Sequence, residues 1–217
     1  MGLNAKNISN NTTRVAQKNL DADVYPGRLV QIIDLGLQPQ DPYEGKPKPP
    51  INKISFTYEL AEEFMKDEDG KDMEDKPRWI SEEMALYGLG ADKAKSTLRY
   101  NAFDPEGVFN GDFARCVGAP VNVTVVNKIS KGKTYDNVGN ISPMSAKRKA
   151  TLPELKNPPK VFDLDNPDMD IYNSLPPWIQ DKIKGNLNFN GSPLQRKLGG
   201  EAKKTETQVV EEEDNPY

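Results

Sequence analysis

The 217-residue chain is 35% hydrophobic and 29% charged and contains 18 Pro and 16 Gly, so it has material for one modest core with appendages and not for two full-sized domains. It has no His and a single Cys, Cys116. This excludes Ser-His-Asp and Cys-His catalysis, an intramolecular disulfide and any multi-cysteine metal or iron–sulfur site, and it agrees with a reducing compartment. The net charge of −4 is unevenly spread: residues 62–75 hold eight acids against Lys66 and Lys71, while residues 128–149 hold six bases against Asp136 alone. A chain that segregates charge in this way can present a basic groove while remaining acidic overall.

Residues 1–22 are Asn-rich and aperiodic and read as a flexible arm. They lack the apolar stretch of a secretion signal, and no 18 apolar residues run together anywhere, from which we expect neither export nor a membrane span but a cytoplasmic protein. From Val24, YPGRLVQIIDLGLQ is a β-branched and aliphatic run with Gly27 and Gly36 where a strongly curved strand needs them. QPQDPYEGKPKPP is a Pro-rich loop. In INKISFTYEL, Ile54, Phe56, Tyr58 and Leu60 alternate with Ser55, Thr57 and Glu59, the period of a strand. The acidic DEDGKDMED is a turn or loop, and KPRWISEEMAL reads as a third strand, although the stretch from Met84 to Leu89 fits a helix equally well. Residues 91–108 yield no assignment, while Asn110 or Asp112 caps a short helix through Cys116 that stops at Gly118. APVNVTVVNK and KTYDNVGNIS form a hairpin around residues 129–133. Beyond residue 150 Pro punctuates the chain, with one amphipathic helix at 177–184 and an unstructured acidic end.

The expected organisation is an arm over 1–22, a folded β domain over 23–150, a Pro-rich extension with a short helix over 151–195 and an acidic tail over 196–217. The order strand, strand, strand, short helix, strand, strand is that of the OB-fold. The fold class expected is therefore mainly β, a five-stranded OB-fold-like barrel with a short helix between strands 3 and 4, long loops and flexible termini.

Single-stranded nucleic acid is held by a basic track for phosphates and by exposed rings on which bases stack. The sequence interleaves both: Arg78 beside Trp79, Lys93 and Lys95 ahead of Arg99 and Tyr100, and Lys128, Lys131 and Lys133 ahead of Tyr135 at the hairpin tip. Lys53, at the start of the second strand, joins the set. Tyr100 and Tyr135 stand in polar sequence and suit base stacking, whereas Trp79 fits core and platform alike. The acidic stretch fails as an EF-hand because Met65 and Lys76 occupy its end positions. Neither GxxxxGK[ST] nor GxGxxG occurs, and Cys116 reads as a small buried hydrophobe. No catalytic residue, metal or cofactor is expected.

The chain ends EEEDNPY, in which Glu211, Glu212, Glu213 and Asp214 precede Pro216 and Tyr217. An acidic peptide with one aromatic anchor can dock in a basic, apolar-floored pocket of another protein, or compete with DNA for its own basic groove. This tail resembles that of bacterial single-stranded DNA-binding proteins, which end Asp-Asp-Ile-Pro-Phe. Together with YPGRLVQIIDLG, NKISFTYEL, DKPRWISEEMAL and LPPWIQDKIKGNLNFNGSPL, it makes the chain similar to single-stranded DNA-binding proteins of tailed bacteriophages over residues 24–194 and the tip. The Tyr in place of the terminal Phe and the Pro-rich extension depart from the bacterial pattern. The resemblance implies coating of single-stranded DNA during replication and recombination in the host cytoplasm. It also implies recruitment of replication proteins such as polymerase or helicase/primase by the tail. The competing reading is a non-enzymatic β-barrel component of a virion.

Overall fold

The computed structural model describes residues 15–199. The first 14 residues, and Glu211, Glu212, Glu213, Asp214, Pro216 and Tyr217, for which the sequence suggests an arm and a docking tail, lie outside the described residues.

The described chain is mainly β. Its strands are β1 (Val24–Gln38), β2 (Ile51–Lys66), β3 (Asp72–Ala85), β4 (Pro120–Ser130), β5 (Lys133–Pro143) and β6 (Lys160–Phe162). Helices are α1 (Lys95–Phe103), α2 (Ala146–Lys149), α3 (Met169–Ser174), α4 (Pro177–Lys184) and α5 (Pro193–Lys197), with one 3-10 turn at Phe113–Cys116. The strands form one sheet in the order β3-β2-β1-β4-β5, and β6 pairs with β1. The β1–β4, β2–β3 and β4–β5 pairs are antiparallel.

Six strands thus stand where five were expected, because the short Lys160–Phe162 segment adds to β1. The hydrogen-bonded path is open, with β3 and β5 at its ends. Side chains bridge those ends: Arg78 of β3 donates to Asp136 of β5 at 3.3 Å. The helix expected at Cys116 is a 3-10 turn, capped by the Asp112 carboxylate through the Ala114 N–H. The longer helix between β3 and β4 is α1, in the stretch that the sequence left unassigned.

The described chain divides into two compact units, residues 15–33 with 53–161 and residues 34–52 with 162–199, rather than at 22, 150 and 195. In the first unit the alternating Ile54, Phe56, Tyr58 and Leu60 of β2 and Val121, Val123 and Val125 of β4 are buried in one core with Tyr100 and Phe103 of α1. Phe56 meets Phe103 edge-on at 5.3 Å and Phe113 in a stack at 5.6 Å, a geometry that suits the ring quadrupoles. Gly27 is required here, since a Cβ would lie 2.7 Å from the Glu59 carbonyl oxygen.

In the second unit Phe162, Tyr172, Leu175, Ile179, Ile183 and Leu194 are buried. Asp168 caps α3, Pro177 opens α4 and Ser192 caps α5, the residue types that satisfy or lack the unpaired N–H groups of a first turn. No helix among the described residues is long and apolar enough to cross a membrane.

Candidate nucleic-acid interface

The β4–β5 hairpin carries most of the accessible candidate residues. Its strands are joined by Lys131 and Gly132, with φ of 48° and 73°. Two successive positive φ values give the turn whose twist matches that of paired strands, and Gly takes the second without steric cost. The register places Lys128 opposite Tyr135 and Ser130 opposite Lys133. Because side chains alternate between faces, these four residues share one face of the hairpin. Lys128, Lys131 and Lys133 are exposed, and Tyr135 is 48% exposed.

The acid within this basic segment is turned to the other face. Asp136 accepts from Asn19 Nδ2 at 2.7 Å, the Leu20 N–H at 3.0 Å, Arg78 Nη2 at 3.3 Å and Asn127 Nδ2 at 3.1 Å. Its charge is taken up in fastening residues 19–20 and β3 to the hairpin near its turn, so the lysine face keeps its positive potential. A short basic helix follows β5: α2 places Lys147, Arg148 and Lys149 in its single turn. The charge count over 128–149 signals these three, but nothing in the sequence alone gives them a site role.

The other candidates have separate settings. Lys93 is exposed. Lys53 pairs with Glu83 at 3.3 Å and Lys95 with Glu82 at 2.7 Å. The Arg78 side chain is 17% exposed and is taken by Asp136 and the Lys18 carbonyl. Trp79 is neither core nor free platform: the residue is 40% exposed, while Nε1 donates to Glu59 Oε2 at 3.2 Å. Glu59, opposite Trp79 across the β2–β3 pair, also accepts from the Lys156 N–H at 2.7 Å and from Asn157 Nδ2 at 2.7 Å. It thereby holds the 156–157 strap against the sheet.

Arg99 and Tyr100 require correction, for burial leaves neither a face to offer DNA. Arg99 is 2% exposed, clamps Glu82 and donates to Asn140 Oδ1 at 3.2 Å. Burial alone would raise the Glu82 carboxyl, but hydrogen bonds from Arg99 and Lys95 hold it below its ordinary value. Tyr100 is 3% exposed; its hydroxyl donates to Asp104 at 2.9 Å and accepts from the Gly111 N–H at 2.6 Å.

Cys116 is fully buried in the core, and burial, then the nearby Asp104 and Asp112 charges, push its thiol up to about 12. The acidic stretch narrows to a hairpin turn in which Asp67 accepts from the backbone of Asp69 and Lys71. No family model, curated protein or solved structure matches the chain.

Proposed function

We propose that this chain is a non-enzymatic, sequence-nonspecific single-stranded DNA-binding protein that coats DNA during phage replication and recombination. The observation that carries the reading is the β4–β5 tip, where exposed Lys128 and Lys133 share a hairpin face with half-exposed Tyr135, exposed Lys131 stands in the turn, and Asp136 is bonded on the other face. Lysines at that spacing neutralise successive phosphates, and the ring offers a face to any base, so affinity is steep in salt and indifferent to sequence. Lys53, Lys93, Lys95 and Trp79 are secondary contacts in this reading, three of them already partnered within the protein.

The strand path β3-β2-β1-β4-β5, the helix between β3 and β4, and the side-chain bridge between β3 and β5 support an OB-fold, a partly open five-stranded barrel. β6 is then an addition to it. The loop between the fourth and fifth strands is one that OB-folds use for oligonucleotides, and here it is the lysine hairpin. The tail Glu211–Tyr217 supplies acids and an aromatic end suited to recruiting replication proteins.

Titration of labelled oligo(dT) with the full chain and with a chain ending at Val210, at two salt concentrations, tests this. Tight, salt-steep binding that strengthens when the tail is removed is expected. Absence of binding by both forms overturns the reading in favour of a structural β protein of a virion.

A further inference from the structure

The β1–β2 connection builds the same local device a second time. Tyr43 and Lys46 pair across a two-residue turn, each N–H donating to the other's carbonyl at 2.9 Å. The residues between them, Glu44 and Gly45, have φ of 50° and 76°, almost the values of Lys131 and Gly132. The base of the loop is tied by Gln40 Nε2 donating to the Pro49 carbonyl at 2.6 Å, and Pro42, Pro47, Pro49 and Pro50 restrict its backbone. On this support Tyr43 is 61% exposed, with Lys48 Nζ 4.8 Å from the centroid of its ring.

A ring held out from the protein does little for the stability of its own fold, and the turn bonds, the Gln40–Pro49 bond and the prolines limit the freedom the loop has to lose, so a ligand stacking there meets little ordering cost. We infer that Tyr43 is a base-stacking station for single-stranded DNA, one face of its ring covered by the Lys48 ammonium and the other open to a base. The inference rests on the proposed single-strand binding, and it adds a contact on the β1–β2 loop that the hairpin does not supply. Asp41 and Glu44 offset Lys46 and Lys48 in charge, so the contribution of this loop comes from stacking and not from counterion release.

The test is ultraviolet cross-linking of the full chain to oligo(dT) bearing 5-iodouracil, with the adducts located by mass spectrometry. It is combined with titrations of Tyr43→Ala and Tyr43→Phe at two salt concentrations. An adduct at Tyr43 is expected. Tyr43→Ala should lose at least about fivefold in affinity, the low end for one base–aromatic stack, with the salt slope unchanged and the affinity restored in Tyr43→Phe. Adducts confined to the Tyr135 hairpin, with Tyr43→Ala binding as tightly as the parent, overturn the inference and leave the proposed function standing. An affinity loss that Phe does not restore also overturns it. No binding and no adduct in the unmodified protein removes both.

Discussion

Arg99 and Glu82 meet in a buried two-point ion pair, with Nε 2.7 Å from Oε1 and Nη2 3.1 Å from Oε2. Tyr58 donates to the same Oε1 at 2.7 Å and Lys95 reaches Oε2 at 2.7 Å. The guanidinium also binds Asn140 of β5, so one side chain on α1 joins both ends of the sheet path. Removing it would strand the carboxylate without its main partner. Arg99→Ala is expected to lower stability by about 3–5 kcal/mol, measured by urea unfolding, while the protein that remains folded binds oligo(dT) as before. An affinity loss with stability intact would return Arg99 to the DNA surface.

The same cluster sets a pH dependence on both sides of neutrality. The Glu82 carboxyl titrates below its ordinary value in the folded state. Its contribution to stability is therefore complete above the ordinary carboxylate range and is lost as pH falls through that range to the lowered folded value. Burial, followed by the Glu82 charge, pushes the Tyr58 phenol well above its ordinary value. Its contribution is complete below pH of about 10 and drains away as pH rises toward the folded value. Glu82→Gln should flatten the acid limb and Tyr58→Phe the alkaline limb of a stability–pH profile. Unchanged limbs would show that other groups control them.

Lys131 occupies a left-handed backbone position, with φ of 48°, that Asn adopts more readily than Lys. Lys131→Asn should therefore stabilise the hairpin by up to about 1 kcal/mol while removing one phosphate contact. The salt slope of binding to single strands should fall by about 0.7. Thermal melting and a salt titration read the two effects separately. A variant that gains stability and keeps its salt slope would place the DNA elsewhere than this turn.

The strands were legible where one face alone is apolar. Ile54, Phe56, Tyr58 and Leu60 announce β2, and Lys131-Gly132 announces the hairpin, because period and turn chemistry act over a few residues. Helix α1 is not legible: its 9 residues give an apolar period little room to show, Leu98 falls on the exposed side, and Ser96 and Thr97 at its start are weak helix formers. The burial of Arg99 was hidden for a different reason. Its partner Glu82 lies 17 positions away, and a charge that is neutralised across the fold looks solvated when read along the chain. Tyr43 is masked by the prolines around it, although Glu44-Gly45 is a signal for a tight turn. No single-sequence signal marks the Glu59 contacts with Lys156 and Asn157, which join segments about a hundred residues apart.

Those contacts lead to the last expectation. Glu59 is 4% exposed and serves the Trp79 indole and the strap at once. Glu59→Ala would leave the Lys156 and Asn157 N–H groups and the indole N–H without their acceptor, at a cost of about 1–3 kcal/mol for each donor that stays buried. The strap should respond by opening to water. The chain has two Trp residues, so a Trp178→Phe background makes Trp79 the sole reporter. There, Glu59→Ala should shift Trp79 emission to the red and speed amide exchange at residues 156 and 157. Oligo(dT) added to the Trp178→Phe protein discriminates the role of the ring: quenching places a base on Trp79, whereas unchanged emission alongside normal affinity confines the indole to holding Glu59.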